Sequence, residues 1–580
     1  MRHTSSLQSS LTVALSAVLI LVSPGLARSQ WDLCGVVLCD TTITQIVDSC
    51  VPDGSGGVLI NCHQPNVTVP SLLCYRVTMD GYLPPDWPEC GLALTTHPVY
   101  FAFYGYGKSI PDGAGGALIG WHDHSQENGL GFLQRVTANS ICPGWPADGV
   151  RISTDHRQDN IELATDGSEG AFVTWNTGQP RAYAQHITGG GGVAAGWPAV
   201  GKSLYALTSI GSFTPCAVAD GNHGAIFAAV DHRNYSVTQR DIYAQHLSAE
   251  GSVVPDWTEN GNPVCTAPGN QGWNVVRAVT DGSGGAIVVW DDDRDLSTTS
   301  FDLYAQRISS SGSLDWTESG VPLTRAPNSQ GLNSNVVAIA DGLGGAFVAW
   351  SDRTSRDVYL QHVDASGAIP FGWPADGLAI ATTTGDESNP ALALDDAGGV
   401  FIAWLIWNNR VCVQRITATG SVAPDWPSAG WTMCPVSALG APYLAEDGNG
   451  GVIIGWTRGG GGSIPVVHHL RGNGYPVAVP DLPAQANGQT VGLSVIPNPS
   501  RGVVDLALGL PDRMPLTAHV LDASGRLIRE LATSGSTGST RRTLTWDGRD
   551  FGGRDLPPGV YFIRVAAGSS VVRGTIVRIR

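Results

Sequence analysis

"DGSGGAIVVW", residues 281–290, and "DGLGGAFVAW", residues 341–350, are two copies of one signal. Each sets an Asp-Gly turn and a Gly-Gly pair before an apolar run that ends in tryptophan. The leading aspartate recurs eight times, at Asp53, Asp112, Asp166, Asp220, Asp281, Asp341, Asp395 and Asp447, in steps of 52 to 61 residues. A second unit, Trp-x-x-x-Gly, alternates with it at Trp31, Trp87, Trp145, Trp197, Trp257, Trp316, Trp373 and Trp426. Between the two falls a third element, "YAQHI" at 183, "YAQHL" at 243, "YAQRI" at 304 and "YLQHV" at 359.

One period reads as four strands: "GVPL" (320–323), "NVVAIA" (335–340), "AFVAW" (346–350) and "DVYLQHV" (357–363). Asp-Gly supplies the positive φ of a tight hairpin, which glycine adopts without a Cβ clash. The "AFVAW" piece is apolar throughout, which implies burial on both faces. A period near 50 residues with four strand-like pieces predicts an all-β fold: an eight-bladed β-propeller, or seven blades with one irregular repeat.

The ends of the array indicate how it closes. "WDLCGVVL" (31–38) matches "WPADGVRI" (145–152) but has no hairpin before it, and the hairpin at Asp447 has no Trp-x-x-x-Gly after it. The N-terminal strand therefore completes the last blade, which leaves no unpaired edge at the seam. The Asp-Gly hairpins and the Trp loops then share one face, uniform from blade to blade. Loops after the "AFVAW" strand and before the inner strand make the other face, which is variable and suited to a ligand site.

The first 27 residues have basic Arg2 and His3, an apolar run from Leu11 to Val22, and small residues after it. They read as a signal peptide, because the run is too short to span a bilayer. No later segment is long and apolar enough to cross. Export permits disulfides among the eleven cysteines, with Cys50 and Cys62 a plausible pair across a hairpin. The absence of a CxxC pair argues against a cysteine zinc site. A net charge of −17 excludes general nucleic-acid binding, which needs Lys and Arg against phosphate. The array spans 31–480, a linker 481–490, and a tail domain 491–580 of short strands with Gly and Pro turns, a small β-sandwich.

In that tail "PNPSRG", "VLDASGRLIREL" and "WDGRDFGGRDLPPGVYFIRV" resemble the Ig-like domain shared by flagellar hook-capping proteins and many exported bacterial proteins. They are also similar to C-terminal sorting domains of the type IX secretion route. Either resemblance implies export, contact with export machinery and often attachment at the outer surface.

Candidate chemistry sits after the "AFVAW"-type strands, in "WHDHS" at 121, "VDHR" at 230, "WDDDRD" at 290 and "WSDR" at 350. Asp231, Asp292 and Asp352 with Arg233, Arg294 and Arg353 could ring the variable face and bind anions or sugar hydroxyls through forked Arg bonds. The alternative is that Asp and Arg pair between neighbouring blades and simply solvate the loops. Asp291 to Asp295 could hold calcium by carboxylates, although the spacing is not that of an ordered calcium loop; no other cofactor is expected. His122 and His124 flank Asp123 as metal ligands or as plain loop histidines. His186, His246 and His362 share one repeat position with Arg135, Arg307 and Arg415, a regularity that marks scaffold. The aromatic run Tyr100 to Gly107 is a sugar-stacking platform or strand core. The spacing differs from the sialidase Asp-box, and Gly-x-Ser-x-Gly and His-Glu-x-x-His are absent. These features describe an exported bacterial surface or secreted protein, non-catalytic, binding an extracellular glycan or surface protein. The alternative is a glycan-degrading enzyme with paired acids on the variable face.

Overall fold

A computed structural model describes residues 35–578 apart from intervening segments, chiefly 66–71, 100–106, 206–214, 328–335, 473–484, 497–503, 510–515 and 532–540. The expected signal peptide, Arg353, nearly all of the Tyr100–Gly107 run and much of the 481–490 linker lie outside the described residues. Every named element is a β-strand, and two compact units, Met1–Gly474 and Tyr475–Arg580, divide the chain.

In the first unit each sequence period folds as one antiparallel four-stranded sheet, and eight such sheets are described, numbered 1 to 8 by their hairpin aspartates from Asp53 to Asp447 in chain order. Sheet 5 is typical: Gln271–Thr280, Ala286–Asp292, Asp302–Ile308 and Val321–Thr324 pair in chain order. In sheet 8, Ala438–Glu446, Val452–Arg458 and Ile464–Leu470 are completed by Val36–Val37, with Val36 opposite Val467 and Val37 opposite Val466. The first strands of consecutive sheets lie against one another, and that of sheet 8 lies against that of sheet 1.

The apolar second strands are buried along their whole length in six sheets, as in Ala286–Asp292 and Ala346–Ser351, and up to the last residue in Val400–Ile406 and Val452–Arg458. Their terminal tryptophans, among them Trp175, Trp290 and Trp350, are wholly buried and supply large apolar area to the inter-sheet cores. The Gly of Trp-x-x-x-Gly has its reason here. At Gly320, with φ +87, a Cβ would lie 2.6 Å from the ring of Trp290, so only glycine lets the outer strand pass that ring.

The Trp of the same unit bolts most sheets to the next, Trp87 excepted, whose Nε1 donates to Cys74 O of its own sheet at 3.0 Å. Indole Nε1 of Trp145, Trp197, Trp257, Trp316 and Trp426 donates at 2.8–3.0 Å to the carbonyls of Gly189, Ala249, Ser310, Ala365 and Gly472 in the following sheet. The seam between sheets 8 and 1 carries a covalent bond. Cys39, just after Val36–Val37, forms a disulfide with Cys90 in the Trp loop of sheet 1. At the next residue along the repeat Thr96 Oγ1 donates to Asp148 at 2.8 Å and Arg325 N to Asp376 at 2.9 Å, Asp148 and Asp376 matching Cys90.

Cys50 and Cys62 are both free and buried, contrary to the expected pairing. A register shift between Val47 and Ser49 sets Cys62 opposite Val47 and Cys50 opposite Ile60, so the two thiols never face each other across the hairpin.

The second unit has a three-stranded sheet (Gly492–Ile496, Val504–Gly509, Arg541–Trp546) and a four-stranded one (Leu527–Leu531, Leu516–Leu521, Gly559–Ala567, Ser570–Arg578). Val504, Leu506, Leu544 and Trp546 of one share a core with Ala518, Val520, Ile563 and Val565 of the other.

Candidate functional site

The Asp-Gly hairpins come first because they use the most regular acids in the chain. At each, one aspartate oxygen accepts backbone N–H from two and four residues on, as Asp281 Oδ1 does from Ser283 and Gly285, both at 2.8 Å. The other oxygen faces the third strand of the same sheet. It meets Arg76, Arg135, Arg307 or Arg415 in sheets 1, 2, 5 and 7, and His186, His246, His362 or His469 in sheets 3, 4, 6 and 8. Several of these bases also reach the next sheet. Arg415 Nη1 donates to Gly472 O at 2.7 Å, and His186 Nδ1 lies 3.0 Å from Ala249 O, carbonyls that Trp426 and Trp197 also address. Hairpin, base and tryptophan are thus one inter-sheet latch. The His/Arg regularity is scaffold, and its partner is the repeat's own aspartate.

The variable face holds the sequence candidates. Asp231 ends the second strand of sheet 4 and accepts Arg233 through both oxygens, Nε to Oδ1 at 2.9 Å and Nη2 to Oδ2 at 2.8 Å. The guanidinium sits 3.7 Å over the ring of Tyr243 and donates to Asn260 O at 2.7 Å. Sheet 5 repeats this: Arg294 forks onto Asp292 at 2.8 and 2.6 Å, covers Tyr304 at 4.0 Å and donates to Ser319 O at 3.0 Å. Asp231 and Asp292 are buried. In sheet 6 Asp352 turns inward too, accepting Thr354 N and Ser355 N at 2.7 Å. The Asp231–Arg233 and Asp292–Arg294 pairs each close their own loop, within a sheet rather than between neighbours, and Asp352 is held by its own loop's backbone.

Two of these loops are twins. "DHRNYSVTQRD" (231–241) and "DDRDLSTTSFD" (292–302) share Asp-x-Arg, a later Thr and a closing Asp at equal spacing. Thr238 and Thr299 hydroxyls donate to Asp241 and Asp302 at 3.0 and 2.8 Å. Asp241 stands opposite Asp231 and Asp302 opposite Asp292. Burial raises both Asp241 and Asp302 to about 6, because the neutral side-chain donors, Thr238 and Asn234 at one and Thr299 at the other, do not offset the lost water. Between the loops runs the start of the inner strand of sheet 5. Gln271 N donates to Arg240 O at 2.9 Å, Asp293 N to Asn270 O at 3.1 Å, and the Arg240 guanidinium lies 3.8 Å over the ring of Trp273. Trp273, Tyr235, Val237 and Leu296 are all exposed. Trp273 was not legible as a site residue, since a lone Trp in a strand reads as core; the repeated Asp-x-Arg…Thr…Asp spacing was the signal for the loops.

The run Asp291, Asp292, Asp293 is fully engaged. Asp291 accepts Asn274 N and Val275 N at 3.0 and 2.9 Å, Asp292 takes Arg294, and Asp293 takes the side chain of Asn270 at 2.8 Å. His122 is buried, and burial followed by the neighbouring His124 pushes it down to about 4. Among the described residues no three His, Cys, Asp or Glu side chains converge as metal ligands, and no helix is long and apolar enough to cross a membrane.

Residues 494–579 match the secretion system C-terminal sorting domain. The chain is a secreted or cell-surface bacterial protein. Of the two resemblances read in the tail, the sorting domain is the one this match supports, and it implies contact with a secretion machinery. No curated protein matches the chain. Among solved structures, puromycin hydrolase is similar at 16% identity over 74% of this chain and 61% of its own, with a TM-score of 0.35. Prolyl oligopeptidase B from Galerina marginata is similar at 8% identity, over 72% of this chain and 55% of its own, TM-score 0.36. An α-L-arabinanase from Penicillium chrysogenum complexed with arabinobiose is similar at 12% identity, over 55% of this chain and 94% of its own, TM-score 0.30. This chain thus spans only 61% and 55% of the first two, and at such scores the likenesses carry no argument about activity.

Proposed function

We propose that the eight sheets are the blades of a propeller closed by the N-terminal strand, and that this propeller is a non-catalytic recognition module carried to the cell surface by the sorting domain. The circuit of inner strands and the disulfide beside the closing strand support the ring. One observation carries the recognition reading: in sheets 4 and 5 Asp231, Asp241, Asp292 and Asp302 are buried and bound within their own loops, while the tips 234–239 and 296–301 above them carry no charged residue. Acid–base chemistry needs carboxyl groups within reach of substrate, whereas stiffened, uncharged loop tips are suited to binding.

A second reading, an enzyme acting on extracellular glycans, has the raised Asp241 and Asp302 facing Asp231 and Asp292 in its favour, since glycosidases pair acids of unlike strength. Their burial speaks against it. A screen of the full chain for binding and for hydrolysis of polysaccharides, with and without calcium, separates the readings. Binding without turnover is expected; turnover abolished by Asp241→Asn would overturn the proposal.

A further inference from the structure

We infer that the twin loops of sheets 4 and 5, with Trp273 between them, form a binding surface for a neutral polysaccharide. The inference rests on the recognition reading and supplies its ligand class.

The scaffold beneath the surface is rigid. Each loop is pinned at its start by a forked Asp–Arg pair seated on a tyrosine ring, and at its end by a Thr–Asp bond. The strand carrying Trp273 is tied on one side to Arg240 and on the other to Asp293. Such ordering lowers the conformational cost of binding.

The exposed chemistry is specific. The tips "NYSVTQ" (234–239) and "LSTTSF" (296–301) contain no charged residue, in a chain whose net charge is −17. They present hydroxyls and amides beside exposed Tyr235, Val237 and Leu296. Trp273 is 47% exposed, and the Arg240 guanidinium lies over its ring. Aromatic rings give large amphipathic contact at little rotamer cost, and Ser and Asn give adaptable hydrogen bonds. A pyranose has the matching faces, a C–H plane to lie on an indole and a rim of hydroxyls for the loops. Charge complementarity decides the class: the tips carry no charge, the Arg240 guanidinium beside the platform is laid on the indole, and a chain of net charge −17 repels a polyanion. A second observation lies beside the platform. The Gln271 side chain is fully buried with neither Nε2 nor Oε1 partnered among the described residues, and a buried amide of that kind calls for ordered water or a hydroxyl.

The test is affinity electrophoresis of the full chain through gels holding mixed-linkage β-glucan, galactomannan or arabinoxylan, beside anionic polygalacturonate. Retardation by a neutral polymer and not by polygalacturonate is expected, with affinity lowered tenfold or more by Trp273→Ala and also by Tyr235→Ser with Leu296→Ser, at unchanged melting temperature. Phe371→Ser, an exposed ring in a Trp loop of sheet 6, should bind as the parent does. Retardation that survives both loop variants overturns the site, and preference for polygalacturonate or for a surface protein overturns the ligand class; both leave the recognition reading standing. No retardation by any of the polymers overturns this inference, and hydrolysis of any of them overturns the recognition reading as well.

Discussion

The two ends of the sheets treat a buried carboxylate in opposite ways. At the hairpin end, burial alone would raise Asp166, Asp220, Asp341 and Asp447, but a histidine and two backbone N–H groups outweigh it and hold each below the usual carboxylate range. At the loop end the same burial leaves Asp241 and Asp302 with neutral side-chain donors only, Thr238 and Asn234 at one and Thr299 at the other, and they rise to about 6. The donors around the group, not its depth, decide the direction. The hairpin end is built to hold sheets together; the loop end leaves polar capacity unused.

The largest way to break this contrast is at a latch. Asp395→Ala removes the acceptor for Ala397 N, Gly399 N and Arg415. The loss should be about 3 kcal/mol, as for a buried pair that loses one partner, read as a lowered denaturation midpoint. Cys39→Ser with Cys90→Ser should come next, at about 2–4 kcal/mol, with faster proteolysis near Val36–Val37. A normal midpoint there would mean that the seam between sheets 8 and 1 does not depend on the disulfide.

The smallest effect sharpens the contrast by its sign. A carboxyl whose folded value is raised adds stability while protonated, in full below the unfolded value of 3.8, and loses it as pH rises through about 6. Asp241→Asn removes the charged form. It should therefore stabilise by about 1 kcal/mol at pH 7, with the gain fading to nothing near pH 4, followed by melting temperature against pH. The low-held hairpin acids run the other way. Their contribution is present above the unfolded value and falls away on acidification.

Much of this architecture was legible because the repeat writes its constraints as residue types. Asp-Gly-x-Gly-Gly and Trp-x-x-x-Gly each encode a hydrogen bond or a ring contact that recurs, and "WDLCGVVL" declared itself as a stray outer strand. Spacing marked the Asp–Arg candidates, but in sheets 4 and 5 their arrangement depends on an i, i+2 fork seated on a tyrosine two strand positions away, which spacing alone does not reveal. Cys50 and Cys62 were misread because one bulge changes the facing partner. Trp273 was missed because its exposure follows from the extra length of one inner strand, Gln271–Thr280.

The most direct test of the central claim, that hairpins hold and loops recognise, is hydrogen exchange along the full chain with and without the neutral polysaccharide that retards it most. Slowed exchange confined to 232–240, 271–275 and 293–301, with hairpin amides such as Gly285 unchanged, is the result this account predicts. Protection at the hairpins, with none at those loops, would contradict it.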